Sequence, residues 1–184
     1  MPVRQGYDQL GVSAFYQTHG TDYQNPHERI LHLLLTQWVK SKNLPVSTRF
    51  LDLACGSGEV TSLLQHLGFQ NITGFDPYTH VAYEKRTGLV AHDYSFVAIA
   101  NGSLLRKHPE FEFDVIICSF AMHLCAPSWL PLLCLQLAGI SSIMLILTPH
   151  KRPEIGRDWG WEMLEEQLFE RVRLRAYQRT ILND

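Results

Sequence analysis

The stretch Phe50-Leu51-Asp52-Leu53-Ala54-Cys55-Gly56-Ser57-Gly58-Glu59-Val60 constrains the fold of this chain more than any other. Its start, Phe50 to Ala54, is a compact apolar run broken by a single acid. Such a run reads as a strand covered on both faces. Gly56 and Gly58 allow a tight turn and let the backbone approach a ligand with no Cβ in the way. A helix is predicted from Glu59 to Gly68, with Val60, Leu63, Leu64 and Leu67 on one face. Its first turn would direct free N–H groups and a partial positive charge at whatever lies over the glycines. Strand, glycine turn and helix in that order predict an α/β fold.

The chain on either side repeats the alternation. Asn25-Pro26-His27-Glu28 has the residues of a helix start, and the helix is expected from Pro26 to Lys42 with Ile30, Leu33, Leu34 and Trp38 inward. A second strand runs from Asn71 to Asp76, and a short third from Gly88 to His92, ending at Asp93-Tyr94. Phe96 to Lys107 is a weakly patterned helix interrupted at Asn101-Gly102. Phe113 to Ser119 is a fourth strand, Pro127 to Ala138 a helix, and Ile140 to Leu147 a fifth strand that the proline-punctuated loop Thr148 to Pro153 stops. Trp161 to Leu168 and Arg171 to Gln178 then form a hairpin turning near Phe169-Glu170. In its second arm Val172, Leu174 and Ala176 alternate with Arg171, Arg173 and Arg175, one face buried and one solvated. An RNA-facing patch is the other reading of those arginines. The expected architecture is a Rossmann-like doubly wound, mostly parallel sheet with helices on both faces and a C-terminal antiparallel hairpin. Residues 1–184 read as one domain: residues 1–24, with Tyr7, Phe15, Tyr16, His19 and Tyr23, as a packed arm or lid, and residues 25–184 as the core.

In such a fold the ligand lies across the carboxyl ends of the strands. Asp52 sits inside the first strand, and Asp76 ends the second roughly 20 residues beyond the glycine turn. A carboxylate there can accept from both hydroxyls of a ribose. The dinucleotide fingerprint would need a third glycine at position 61, which is Thr61, so a pyrophosphate cofactor is disfavoured. A formal net charge of -2 argues against bulk attraction to a polyanion. Cys55, Cys118, Cys125 and Cys134 have no CxxC spacing, so reduced thiols are expected and no metal site is. With no signal peptide and no apolar run long enough to span a bilayer, a cytoplasmic protein with no membrane partner is expected.

Leu51 to Gly58, Gly74-Phe75-Asp76-Pro77 and Asp114 to Leu124 together resemble the motifs of the class I S-adenosylmethionine-dependent methyltransferases, over roughly residues 25 to 180. Ala54 departs from the glycine frequent at that place, and the short run between fifth strand and hairpin leaves the usual last helix reduced or missing. The resemblance implies S-adenosylmethionine as cofactor and S-adenosylhomocysteine as product. It implies that Asp52 positions the amino end of the cofactor, with the backbone of Ala54, Cys55, Gly56, Ser57 and Gly58 lining it. Asp76 would hold the ribose hydroxyls, Pro77 and Tyr78 would flank the adenine, and Asp93 and Tyr94 would meet its amino group and ring nitrogen. Ser119 and Phe120 would lie beneath the sulfonium.

Methyl transfer requires alignment of the acceptor and, for protonated O or N acceptors, a base. His123 after the fourth strand is the first candidate, with His150 and His19 behind it. His150 with Lys151 and Arg152 would suit an anionic acceptor. No Asn-Pro-Pro-Tyr/Phe run follows the fourth strand, no RNA-binding appendage fits the chain, and net charge is near neutral. A small-molecule acceptor methylated on O, N or C is therefore expected. RNA or protein acceptors are the alternative. So is a protein of this fold that binds the cofactor without methyl transfer, as a binding module or a cyclising enzyme. The sequence leaves the oligomeric state open.

Overall fold

A computed structural model describes residues 27–180. The predicted cap Asn25-Pro26, His19 and the aromatic arm lie outside these residues. The described chain opens with α1 (Glu28–Lys42), which buries Ile30, Leu31, Leu34, Leu35, Trp38 and Val39 and leaves the expected Leu33 half-buried. Then come β1 (Phe50–Leu53), α2 (Glu59–His66), β2 (Ile72–Phe75), α3 (His80–Thr87), α4 (Phe96–Ala100), α5 (Ser103–Lys107) and β3 (Phe113–Ser119). After these follow α6 (Leu130–Ala138), β4 (Ser141–Thr148), β5 (Trp161–Phe169) and β6 (Val172–Arg179). Short 3-10 turns lie at Met122–Leu124 and Arg157–Trp159.

The sheet has six strands in the order β2-β1-β3-β4-β6-β5. β1 pairs parallel with β2 and β3, and β3 with β4, while β6 runs antiparallel to both β4 and β5. Strand alternation divides the core. Leu51, Leu53, Ile116, Cys118, Met144 and Ile146 pack toward α4 and α6. Phe50, Val115, Ile117, Leu145 and Leu147 pack toward α1 and α2. This is the three-layer arrangement that continuously apolar strands require.

Three sequence expectations need correction. The third predicted strand, Gly88 to His92, is only a single bridge from Phe75 to His92. His92 N–H donates to Gly74 O at 2.8 Å and Asp76 N–H to His92 O at 3.0 Å, while Val90 is exposed, so no second apolar residue extends the pairing. The Phe96 to Lys107 helix is two short helices, because Gly102 takes φ +78 at the break. The hairpin turn falls one residue later than expected: Glu170 and Arg171 have φ 44 and 68, the paired left-handed residues of a two-residue hairpin loop. As expected from the short run before the hairpin, residues 149–160 contain only a 3-10 turn in place of a final helix.

Trp161 is fully buried under α6, and its Nε1–H donates to Cys134 O at 2.8 Å. Across the other face, Trp38 Nε1–H donates to Glu165 Oε1 at 2.8 Å, and Lys42 pairs with the same carboxylate at 2.9 Å. The hairpin is thus fastened to both helix layers.

Candidate functional site

Register puts the key residues in one row. Leu53 pairs with Phe75 on one side and Cys118 on the other, so Ala54, Asp76 and Ser119 follow together at the carboxyl ends of three adjacent strands. The chain visits β2 on one side of β1 and returns to β3 on the other, which opens a crevice at that reversal. A cleft of about 310 Å³ lies there. Its wall is formed by the glycine turn, by Asp76 to Tyr78, by Tyr94 to Val97, and by Ser119 to Ala126 apart from Met122 and His123.

Asp76 is buried and ties two of these segments together. Its Oδ1 accepts from Tyr78 N–H at 2.7 Å and its Oδ2 from Gly56 N–H at 3.2 Å. Desolvation raises its pKa against the pull of these bonds. A carboxylate has about four acceptor sites, so it can take further donors besides these amides.

Asp52 sits differently from Asp76. It shares the strand face of Phe50, so it points under α2 and does not line the cleft. Its Oδ2 accepts from Thr61 Oγ1–H at 2.7 Å and Thr61 N–H at 3.2 Å. Oδ1 is buried with no hydrogen-bond partner among the described residues. Burial lifts the pKa to about 8, with the charges of Glu59 and Asp76 adding to the lift and the Thr61 bonds opposing it. Beneath them, fully buried Tyr83 places its hydroxyl 3.0 Å from Thr61 Oγ1. Asp52, Thr61 and Tyr83 therefore form a buried polar chain under the turn. Thr61 occupies the place of the missing third glycine and fills it with hydrogen bonds.

Backbone geometry at the strand ends is costly. Ala54 and Phe120 take φ 56 and 55, each of order 1 kcal/mol uphill for a residue with a Cβ. Both line the cleft. Phe120 is held by its N–H donating to Leu147 O at 2.8 Å and by stacking on His27 at 5.1 Å. Gly58 shows why the turn needs glycine: at φ +88, an added Cβ would come within 2.5 Å of Thr87 Cγ2.

The remaining sequence candidates divide. Ala54, Cys55, Gly56, Pro77, Tyr78, Tyr94, Ser119 and Phe120 line the cleft. Ser57 and Gly58 lie just behind it, with Ser57 Oγ–H donating to Glu59 Oε1 at 2.6 Å. Asp93 is exposed and not in the wall, and Ser95 rather than Asp93 caps α4 through Ala98 N–H at 3.2 Å. His123 is exposed, outside the wall, and in contact with His150 at 4.4 Å between ring centroids. Desolvation, with the neighbouring His150, depresses His123 to about 4.

Sequence reasoning missed Glu59, Ser95, Phe96, Val97 and Cys125 in the wall. Glu59 is buried at the first position of α2, a place where negative charge meets the helix N-terminus. Its acid next to the second glycine was the available signal.

A doubly wound sheet with a glycine turn, and a cleft spanning the carboxyl ends of β1, β2 and β3, defines a Rossmann-like nucleotide-binding protein. The chain belongs to the class I S-adenosylmethionine-dependent methyltransferase family: a family model described as a methyltransferase domain matches residues 21–181. The chain is 33% identical to an uncharacterized protein of Schizosaccharomyces pombe, covering 87% of this chain and 79% of that protein. Among solved structures it resembles magnesium protoporphyrin IX methyltransferase from Synechocystis PCC 6803 with bound SAM, with TM-score 0.64, 15% identity, and 97% and 95% of the two chains covered. It also resembles a ribosomal protein L11 methylase from Lactobacillus delbrueckii subsp. bulgaricus, with TM-score 0.61, 17% identity, and 86% and 81% covered. Among the described residues no helix is long and apolar enough to cross a membrane.

Proposed function

We propose that this protein binds S-adenosylmethionine in the cleft and transfers its methyl group to a nucleophilic O, N or C of a small molecule. The observation that carries the reading is the single row of Ala54, Asp76 and Ser119 around one cleft, with Asp76 bridging the Gly56 and Tyr78 amides. The donors and acceptors fit the cofactor. Asp76 accepts from the ribose hydroxyls. Tyr78, Phe96 and Val97 would offer ring and apolar surface to the flat base, with Tyr94 and Ser95 beside them in the wall. Glu59, in the wall at the start of α2, presents a carboxylate to the ammonium end, with the unpaired Oδ1 of Asp52 in the layer behind it. The turn from Ala54 to Gly58 supplies backbone N–H groups for the carboxylate.

When bound, the cofactor supplies a methyl carbon already activated by a sulfonium. This chain's task is then alignment and exclusion of water. Phe120, Ala121, Leu124 and Cys125 form an apolar wall at the Ser119 end. Their burial of the reaction centre strengthens electrostatic contacts there.

Titration calorimetry with S-adenosylhomocysteine tests the reading. Binding to the wild type and a loss of about hundredfold or more in Asp76→Ala are expected, since two charge-assisted hydrogen bonds disappear. No heat with the folded wild type at high ligand would reject it.

A further inference from the structure

We infer that the acceptor is a small organic anion, a carboxylate or a phosphate ester, gripped at the cleft's edge by Lys151 and Arg152 over the His123–His150 contact. This deepens the proposed function and rests on it.

The first observation is a juxtaposition of loops. The loop after β3 lines the cleft through Phe120, Ala121, Leu124, Cys125 and Ala126. The loop after β4 starts from Thr148, beside that strand end: Ser119 pairs with Leu147, and Phe120 N–H donates to Leu147 O. The two loops meet where the His123 and His150 rings touch. Lys151 and Arg152 follow His150 directly on the loop that meets the cleft-lining loop through this ring contact.

The second observation is that these cations are uncommitted. Among the described residues, Arg29, Arg49, Arg86, Arg106, Arg157, Arg173, Arg175 and Arg179 each meet an acid, a hydroxyl or a backbone carbonyl. Lys151 and Arg152 meet none and are exposed, a state they share among the described residues with Arg171, Lys40, Lys85 and Lys107 elsewhere on the chain. Nearby acids are engaged elsewhere: Glu166 holds Arg173 and Arg175, and Glu162 holds Arg157. Glu154 and Asp158, on the same loop, are the acids that remain. Arg175 Nη1–H also donates to Pro153 O at 3.2 Å, which fixes the base of the loop.

The third observation is the acidic character of the cleft's cofactor end. Glu59 and Asp76 line the end assigned to the cationic cofactor, and no lysine, arginine or histidine lines it. Beyond Ser119 the wall is apolar, and the adjoining loop after β4 carries Lys151 and Arg152. An acidic seat for a cation beside a basic seat for an anion brings oppositely charged reactants together. Arginine and lysine together suit an oxyanion, the arginine by its planar fork and the lysine as a point charge.

The chemistry is consistent with this pairing. When the oxyanion itself is methylated, its oxygen attacks the methyl carbon, the carbon–sulfur bond breaks, and its electron pair stays on sulfur. No proton leaves, so a wall without a strong base suffices. His123, held near 4, is uncharged at neutral pH and serves as a hydrogen-bonding platform.

The test is NMR of the imidazole C–H resonances of His123 and His150 in protein saturated with S-adenosylhomocysteine. Benzoate and inorganic phosphate are titrated at constant ionic strength, with benzylamine as the cationic control. Both resonances should move saturably with the anions and stay still with benzylamine. Lys151→Ala/Arg152→Ala should weaken the anion response by about tenfold or more while S-adenosylhomocysteine affinity is unchanged. A response to benzoate alone or phosphate alone selects the anion class. Absence of a saturable response, an equal response to benzylamine, or an undiminished response in the double variant would overturn the inference. Tight displacement of benzoate by bulk tRNA would overturn it in favour of a nucleic-acid acceptor. If S-adenosylhomocysteine binds and the anions do not, this inference alone fails. If S-adenosylhomocysteine does not bind, both readings fall.

Discussion

Two acids of the glycine-turn region differ in setting, and their environments explain how. Asp76 stands at a strand end and meets backbone amides, whereas Asp52 lies one layer deeper against Thr61. Period-two alternation places Asp52 on the Phe50 face, and this was readable from the sequence. The buried partner Thr61, and Tyr83 behind it, were not, because a contact over 22 residues leaves no local pattern. With a pKa near 8 against an ordinary 3.8, Asp52 in the ligand-free protein binds its proton more tightly folded than unfolded. Its contribution to stability is therefore complete below about pH 4 and lost as pH rises through about 8. Urea unfolding of the ligand-free protein from pH 5 to 9 should show wild-type stability falling relative to Asp52→Asn. The difference in slope should approach, at most, about 1.4 kcal/mol per pH unit. Parallel curves would show that Asp52 does not titrate in this way.

At the scale of elements, the strongest patterns were the most legible. Continuous apolar runs announced β1, β3 and β4, and the alternation of Val172, Leu174 and Ala176 announced β6. The expected solvated face of β6 is not one: Arg175 is buried and Arg173 half-buried, both against Glu166 of β5. The stretch Gly88 to His92 misled because a strand exists only where a neighbour offers a ladder, and β2 ends at Phe75. The adenine side was legible only in part for a related reason. Asp93 looked like the polar tip of a strand, but a single bridge leaves it exposed and hands the wall to Tyr94, Ser95, Phe96 and Val97. The hairpin turn carries a testable strain. Arg171 has φ 68 in a loop position that favours glycine. Arg171→Gly keeps the Arg29–Glu170 pair and should stabilise the fold by roughly 0.5–1 kcal/mol, a rise of about 1–4 °C in Tm for a chain of this size. An unchanged or lower Tm in differential scanning calorimetry would show that the turn is not strained.

At the scale of the whole molecule, the sheet and its two helix layers set three strand ends side by side, and the hairpin fastens the opposite edge through Trp161 and Glu165. The cofactor half of the cleft was readable because glycine spacing and a strand-end acid are local signals. The acceptor half was less so: His123 and His150 lie 27 residues apart and meet only because β3 and β4 are adjacent. Everything proposed here depends on a nucleoside lying across those strand ends. The direct measurement is a crystal structure of the protein grown with S-adenosylhomocysteine. The account predicts both ribose hydroxyls within hydrogen-bond distance of Asp76, with the amino acid end over the turn from Ala54 to Gly58. Electron density for the nucleoside elsewhere, or in the cleft with Asp76 untouched, would contradict it.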